Sequence, residues 1–234
     1  GHGLVAEEGS RPSIVNALFK GNGKGGEGYY AVSMAGESVP DPVNIRFEGN
    51  RFQGIQVAGE TLSTNGLWKR WATNAPYVIT ADVTIDPNVT LAIEPGTVVK
   101  LKRSGLYCNG VIKAIGETSP ITFTSYRDDA VAGPSNDTNS VPATADWKGI
   151  YLSSASSASE FANCIVRYPG SNLGYLNWAD RFTAFYVNQS SPSFRKCVIG
   201  PSAGHGIVVN SSSGTVTDTA FEAVSKDNYA IAFD

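Results

Sequence analysis

The sequence predicts an all-β fold, a right-handed parallel β-helix whose coils hold about 22 residues in three short strands each. Three observations predict it. The same apolar positions recur from one block to the next. Short alternating runs are separated by turn residues. No stretch shows helical periodicity beyond short turns.

The elements follow in order. Arg11-Pro12-Ser13-Ile14 resembles Ser191-Pro192-Ser193-Phe194, 180 residues later, and Ile14, Ala17 and Phe19 then match Phe194, Cys197 and Ile199. A second unit reads Pro42, Ile45, Phe47, then Ile55 and Val57. This pattern stops near Leu62 and returns after Glu160. Residues 4–67 are therefore expected to be the closing coils of one β-helical unit, and residues 68–234 the next unit on a continuous solenoid. Between them run Tyr77–Ile79, Val83–Ile85, Leu91–Ile93, Val98–Leu101, Val111–Ile115 and Ile121–Phe123, with turns such as Asp86-Pro87-Asn88 and Glu94-Pro95-Gly96. A polar loop spans Tyr126 to Trp147. A protruding loop is expected around Asn172 to Arg181.

The last blocks set a register. Phe161, Cys164 and Val166 fall under Phe194, Cys197 and Ile199, and these under Val216, Thr219 and Phe221. Phe185, Val187 and Asn188 fall under Ile207, Val209 and Asn210, with Ile207 expected under Tyr229 and Val209 under Ile231. A β-sandwich does not repeat this way. Stacked coils do, with parallel strands about 4.8 Å apart. Asn188 and Asn210 are expected to stack at a turn and bond amide to amide. One coil cannot bury its own interior, so neighbours supply the stability. The pattern also predicts a fragment of a longer multi-unit array.

Composition excludes several classes. Net charge is −3 and no basic stripe is interleaved with aromatics, so no nucleic-acid partner is expected. No apolar run approaches the roughly 18 residues of a membrane span. Cys108, Cys164 and Cys197 are too few and too scattered for a disulfide framework or a zinc site. They read as small core hydrophobes.

The string YVITADVTIDPNVTLAIEPGTVVKLK from Tyr77 to Lys102 carries a family resemblance. It continues in GVIKAIGETSPITFTSYRDD from Gly110 and DWKGIYL from Asp146. These strings resemble the parallel β-helix repeat proteins of the pectate-lyase-like superfamily, in particular bacterial secreted and cell-surface members. The resemblance covers roughly Pro76 to Asp234. It implies the β-helix and an extracellular or cell-surface setting. It implies little about activity, because one fold hosts many functions.

Candidate chemistry is sparse. Gly204-His205-Gly206 looks like the motif of pectin-hydrolysing polygalacturonases, but the partner carboxylates and basic motifs are missing, and the repeat puts His205 at an exposed turn. No catalytic residue is assigned. Lys100, Lys102 and Arg103 form one basic cluster and Arg195 with Lys196 another. A lyase would need such cations, but a solvated face shows them too. In the loop 126–147, Asp128, Asp129, Asn136, Asp137, Asn139 and Asp146 are hard oxygen donors of the kind calcium takes, and they are the candidate metal ligands. The resembled family often carries a similar polar insertion here. Tyr175 and Trp178 in the protruding loop are candidate carbohydrate contacts. Trp68, Trp71 and Trp147 are expected in or near loops, away from inward repeat positions, with Trp68 and Trp71 plugging the junction between units. The resulting expectation is a structural or adhesive module that touches a polysaccharide or another cell-surface ligand. The alternative is a lyase or hydrolase acting on an acidic polysaccharide.

Overall fold

The computed structural model describes residues 1–7, 9–24, 28–136, 140–174, 182–225 and 227–233. It is a parallel β-solenoid of about nine turns, with about 24 residues per turn. Sheet 1 stacks nine strands: Leu4–Ala6, Val32–Met34, Ile55–Val57, Tyr77–Ile79, Val98–Leu101, Ile121–Ser125, Cys164–Val166, Val198–Ile199 and Ala220–Phe221. Sheet 2 stacks Glu60–Leu62, Val83–Ile85, Gly105–Cys108, Gly149–Leu152, Thr183–Asn188, His205–Asn210 and Ile231–Phe233. Sheet 3 stacks Gly66–Trp68, Thr90–Ile93, Val111–Ile115, Glu160–Ala162, Ser193–Arg195 and Thr215–Thr217. The one helical element among the described residues is a short 3₁₀ turn, Ser154–Ser156.

The mean coil exceeds the minimum because some coils carry insertions. Tyr77 pairs with Val99 and Val198 with Ala220, each 22 residues on. Ile121 pairs with Cys164 because the loop 126–147 intervenes. The inward ladders match the sequence pattern. Phe161 pairs with Phe194 and Phe194 with Val216, while Val166, Ile199 and Phe221 form a second ladder. The Phe161 and Phe194 rings stack at 5.3 Å, and Phe185 meets both edge-on at 5.0 and 4.8 Å. Rings placed this way add about 0.5–1.5 kcal/mol per pair to their burial.

A recurrent bend carries the chain from sheet 3 to sheet 1. Asn163, Lys196 and Asp218 each sit there with positive φ; Asn16 and Asn44 also have positive φ, at the bends between Ser13–Val15 and Leu18–Lys20 and between Asp41–Val43 and Arg46–Glu48. Asparagine tolerates this left-handed conformation better than most residues. Asn16 and Lys196, 180 residues apart, share this positive φ, although Leu18–Lys20 after the first is outside sheet 1 and Val198–Ile199 after the second is in it. In the first two coils the later strands pair only with one another: Ser13–Val15 with Asp41–Val43, and Leu18–Lys20 with Arg46–Glu48. Sheet 1 continues across residues 62–77, with Ile55 pairing Tyr77.

Four details differ from the sequence pattern. Ile207 pairs with Ile231 and Val209 with Phe233, two residues beyond the expected partners. The bend between Phe221 and Ile231 is two residues longer than its predecessor, and Tyr229 lies in it. Asn188 and Asn210 are register partners, but their amides donate to Tyr151 Oη at 3.0 Å and Tyr186 Oη at 3.2 Å, not to each other. Amide ladders form earlier, with Asn44 Nδ2 donating to Asn16 Oδ1 at 2.7 Å and Asn22 Nδ2 to Asn50 Oδ1 at 2.9 Å. Trp68 is no loop residue. It ends a sheet 3 strand, fully buried, stacks on Tyr77 at 5.1 Å and donates to Gly36 O. Trp71 packs beside it against Phe19 and Phe47 and donates to Tyr77 Oη. Trp147 is also buried, its Nε1 donating to Arg167 O. The three cysteines are buried core residues, as their type predicts.

Candidate functional site

Two places on the outer surface gather polar chemistry. The first is the loop 126–147 on the outer face of sheet 1. Lys100 alternates outward on its strand, yet its side chain is fully buried, because the loop folds back over it. Its Nζ donates to Asp128 O at 2.8 Å and Gly133 O at 2.6 Å. Burial lowers its pKa to about 8, against the pull of Asp129 and Asp128. Burial likewise raises the Asp129 carboxyl, opposed by Lys100. Asp128 Oδ2 accepts from Thr124 Oγ1. Beyond Lys100 the loop reaches back over earlier coils: Gln53 N–H donates to Pro134 O and Tyr30 Oη to Ser135 O. The loop is thus a strap over sheet 1, with Lys100 as its pin.

The candidate metal ligands divide. Asp128 and Asp129 face Lys100, and Asn136 Nδ2 donates to Tyr126 O and Asp129 Oδ1. Asp146 belongs to a different network, accepting from Ser125 Oγ at 2.6 Å, Ala143 N–H at 3.0 Å and Arg127 Nη1 at 3.2 Å. Asp137 and Asn139 lie outside the described residues. Among the described residues no group of three or more His, Cys, Asp or Glu is placed to hold a metal ion.

The second place is the outer face of sheet 2. Tyr107, Tyr151 and Tyr186 are register partners on three successive strands. Their rings lie 6.3 and 5.8 Å apart, the second pair nearly parallel. Asn188 and Asn210 edge the row. At its start Lys148 pairs with Asp82 at 2.6 Å and lies 5.8 Å from the Tyr107 ring centroid. Burial opposes the Lys148 charge, but Asp82 overcomes it and holds the pKa above the ordinary value. The protruding loop begins over this row. Leu173 packs against Tyr186 and Val208, and its carbonyl accepts from Tyr107 Oη at 2.7 Å. Tyr175 and Trp178 follow directly and lie outside the described residues. The row itself was missed in the sequence, although Tyr107, Tyr151 and Tyr186 all stand at outward positions between apolar residues.

The remaining candidates disperse. His205 is not exposed but buried at the start of its strand. Its ring stacks on Tyr229 at 5.8 Å and its Nδ1 accepts the Tyr229 N–H. The longer bend that shifts the register brings Tyr229 there. The basic residues do not cluster as a set. Lys102 lies against the Tyr126 ring, Arg103 is exposed, Arg195 pairs with Glu117, and Lys196 occupies the bend. A groove of about 580 Å³ lined by Ala6, Met34 and Glu60 lies in the early coils.

The fold places the chain among parallel β-solenoid proteins. Comparison with family models, curated proteins and solved structures gives no match.

Proposed function

We propose that this chain is a structural and adhesive β-helix module of a secreted or cell-surface bacterial protein of pectate-lyase-like type, touching carbohydrate along the outer face of sheet 2. The observation that carries this reading is the row Tyr107–Tyr151–Tyr186. It runs along the solenoid axis and is edged by amides and by the Lys148–Asp82 pair. Aromatic carbon beside amide and hydroxyl groups suits a sugar, which has apolar ring faces and polar edges. Tyr151 Oη accepts from Asn188 and keeps its own proton to donate. The loop bearing Tyr175 and Trp178 starts from the same face, so both contact residues belong to this reading.

Retention on immobilised polysaccharides, neutral and acidic, tests it. Tyr151→Ala, Asn188→Ala and Trp178→Ala should each weaken retention at least several-fold while the melting temperature holds. A wild-type chain that no polysaccharide retains, or retention indifferent to all three changes, refutes the carbohydrate contact. Incubation with acidic polysaccharides, followed by ultraviolet absorbance of unsaturated product, tests the enzymatic alternative. Turnover at enzyme-like rates would replace the adhesive reading with a lyase.

A further inference from the structure

Cys164 and Cys197 occupy the same place in consecutive coils. Each follows a residue with positive φ, Asn163 at 50° and Lys196 at 55°. The next residues pair in register, Ile165 with Val198 and Val166 with Ile199. That alignment sets the two α-carbons one strand spacing apart, about 4.8 Å, within the roughly 4.4–6.8 Å that a disulfide spans. Both side chains are buried in the core. Their thiols make parallel contacts, Cys164 Sγ donating to Ala114 O at 3.3 Å and Cys197 Sγ to Phe161 O at 3.4 Å. Cys108 stands apart in sheet 2, where its register partners are Ile85 and Leu152.

We propose that Cys164 and Cys197 are an oxidisable thiol pair, closed by a peroxide or a small disulfide into a bond between consecutive coils. With hydrogen peroxide the balance is complete. The Cys197 thiolate attacks one peroxide oxygen, giving a sulfenic acid and, with a proton, water. The Cys164 thiol then attacks that sulfur, forming S–S and releasing a second water. Two S–H bonds and one O–O bond break, and two electrons pass from sulfur to oxygen. Cys197 is the attacking partner because it lies next to the exposed end coil, under the half-buried Thr219, whereas Cys164 lies one coil deeper. Entry requires opening of one coil. The strand Thr215–Thr217 in the coil above is exposed along its length, and Thr219, directly over Cys197, is only half-buried.

The test is a thiol count on folded protein exposed to hydrogen peroxide and, separately, to oxidised glutathione, then alkylated under denaturing conditions. The three free thiols should fall to one. Intact mass should show the loss of two hydrogens, peptide mapping should join Cys164 to Cys197, and dithiothreitol should restore all three. Cys108→Ser should still lose both of its thiols, whereas Cys197→Ser should keep its two. The proposal is overturned if all three thiols persist. It also fails if the products are chain-to-chain disulfides, a stable glutathione adduct or a sulfinic acid without the cross-link.

Discussion

Lys100 offers the sharpest test of how the loop 126–147 is held. Its ordinary pKa is 10.5, and burial lowers it to about 8 in the folded chain. Below pH 8 both folded and unfolded chains carry the proton. Between 8 and 10.5 the folded chain has released it and the unfolded chain has not. The unfolded state then binds more protons, so stability must rise with pH across that window and fall again as pH drops through 8. The slope for one group is about 1.4 kcal/mol per pH unit. From pH 7 to pH 10 the gain from Lys100 is therefore roughly 2–3 kcal/mol.

Other groups titrate in the same window, so a single denaturation series cannot isolate Lys100. A difference can. Urea denaturation of the wild type and of Lys100→Met, each at pH 7 and pH 10, cancels what the two chains share. The wild type should gain on the variant by roughly 2 kcal/mol between the two pH values. At pH 7 the variant loses the hydrogen bonds to Asp128 O and Gly133 O but also sheds a buried charge, so the sign of the difference there does not decide the matter. The shift of the difference with pH does. A difference constant to within about 0.5 kcal/mol would show that Lys100 titrates as a solvated lysine. The strap would then not be seated over it.

Three further outcomes follow from the packing. Phe161→Ala removes the ring that stacks on Phe194 and meets Phe185, and should cost about 3–5 kcal/mol in denaturation; a cost below 1 kcal/mol would deny the inward ladder. Asn50→Ala strips the acceptor of Asn22 N–H and Nδ2–H and the donor to Phe19 O, and should cost about 1–3 kcal/mol with early loss of hydrogen-exchange protection in the first coils. Unchanged protection would show that this amide ladder does not hold them. Calcium titrated into EDTA-treated protein should give no heat and no change in melting temperature, because the Lys100 ammonium already faces Asp128 and Asp129 while Arg127 takes Asp146. Heat and a raised melting temperature would instead assign a bound cation to the loop.

What the sequence made legible and what it hid divide along the two faces of the strands. An inward residue faces its own repeat, so Phe161, Phe194 and Val216, or Val166, Ile199 and Phe221, announce themselves by spacing alone. The two misplaced inward pairings, Ile207 with Tyr229 and Val209 with Ile231, came from one tie: Tyr229 and Ile231 both satisfy an apolar pattern, and only the length of the bend decides between them. Outward residues carry no such apolar signal, even where they pair in register as Tyr107, Tyr151 and Tyr186 do. Lys100 alternates outward and reads as solvated, and nothing near it in sequence says that Asp128 and Gly133 will close over it. His205 reads as an exposed turn because Tyr229, which covers it, arrives from the next coil.

The outward face is also where binding chemistry can vary without breaking the solenoid. An inward change such as Phe161→Ala disturbs the stack through its neighbours, whereas Tyr151 can be altered with far less effect on the core. Insertions therefore do double work. The loop 126–147 breaks the period between Ile121 and Cys164, and the loop after Ser171 breaks it between Ile165 and Val198. Each settles on the outer face of a sheet and buries residues that the period alone would leave to solvent: Lys100 under the first, Tyr186 and Val208 under the second. Deleting residues 172–181, with Ser171 joined to Phe182, should shorten that coil without disturbing the inward ladder. It should uncover Tyr186, the buried end of the tyrosine row. If the row is the sugar-contacting surface, the deletion variant will keep its melting temperature within a few degrees and change its polysaccharide retention. Loss of cooperative melting would show instead that the loop is part of the coil's own packing, and that the outer face is less independent of the core than the alternation of the strands implies.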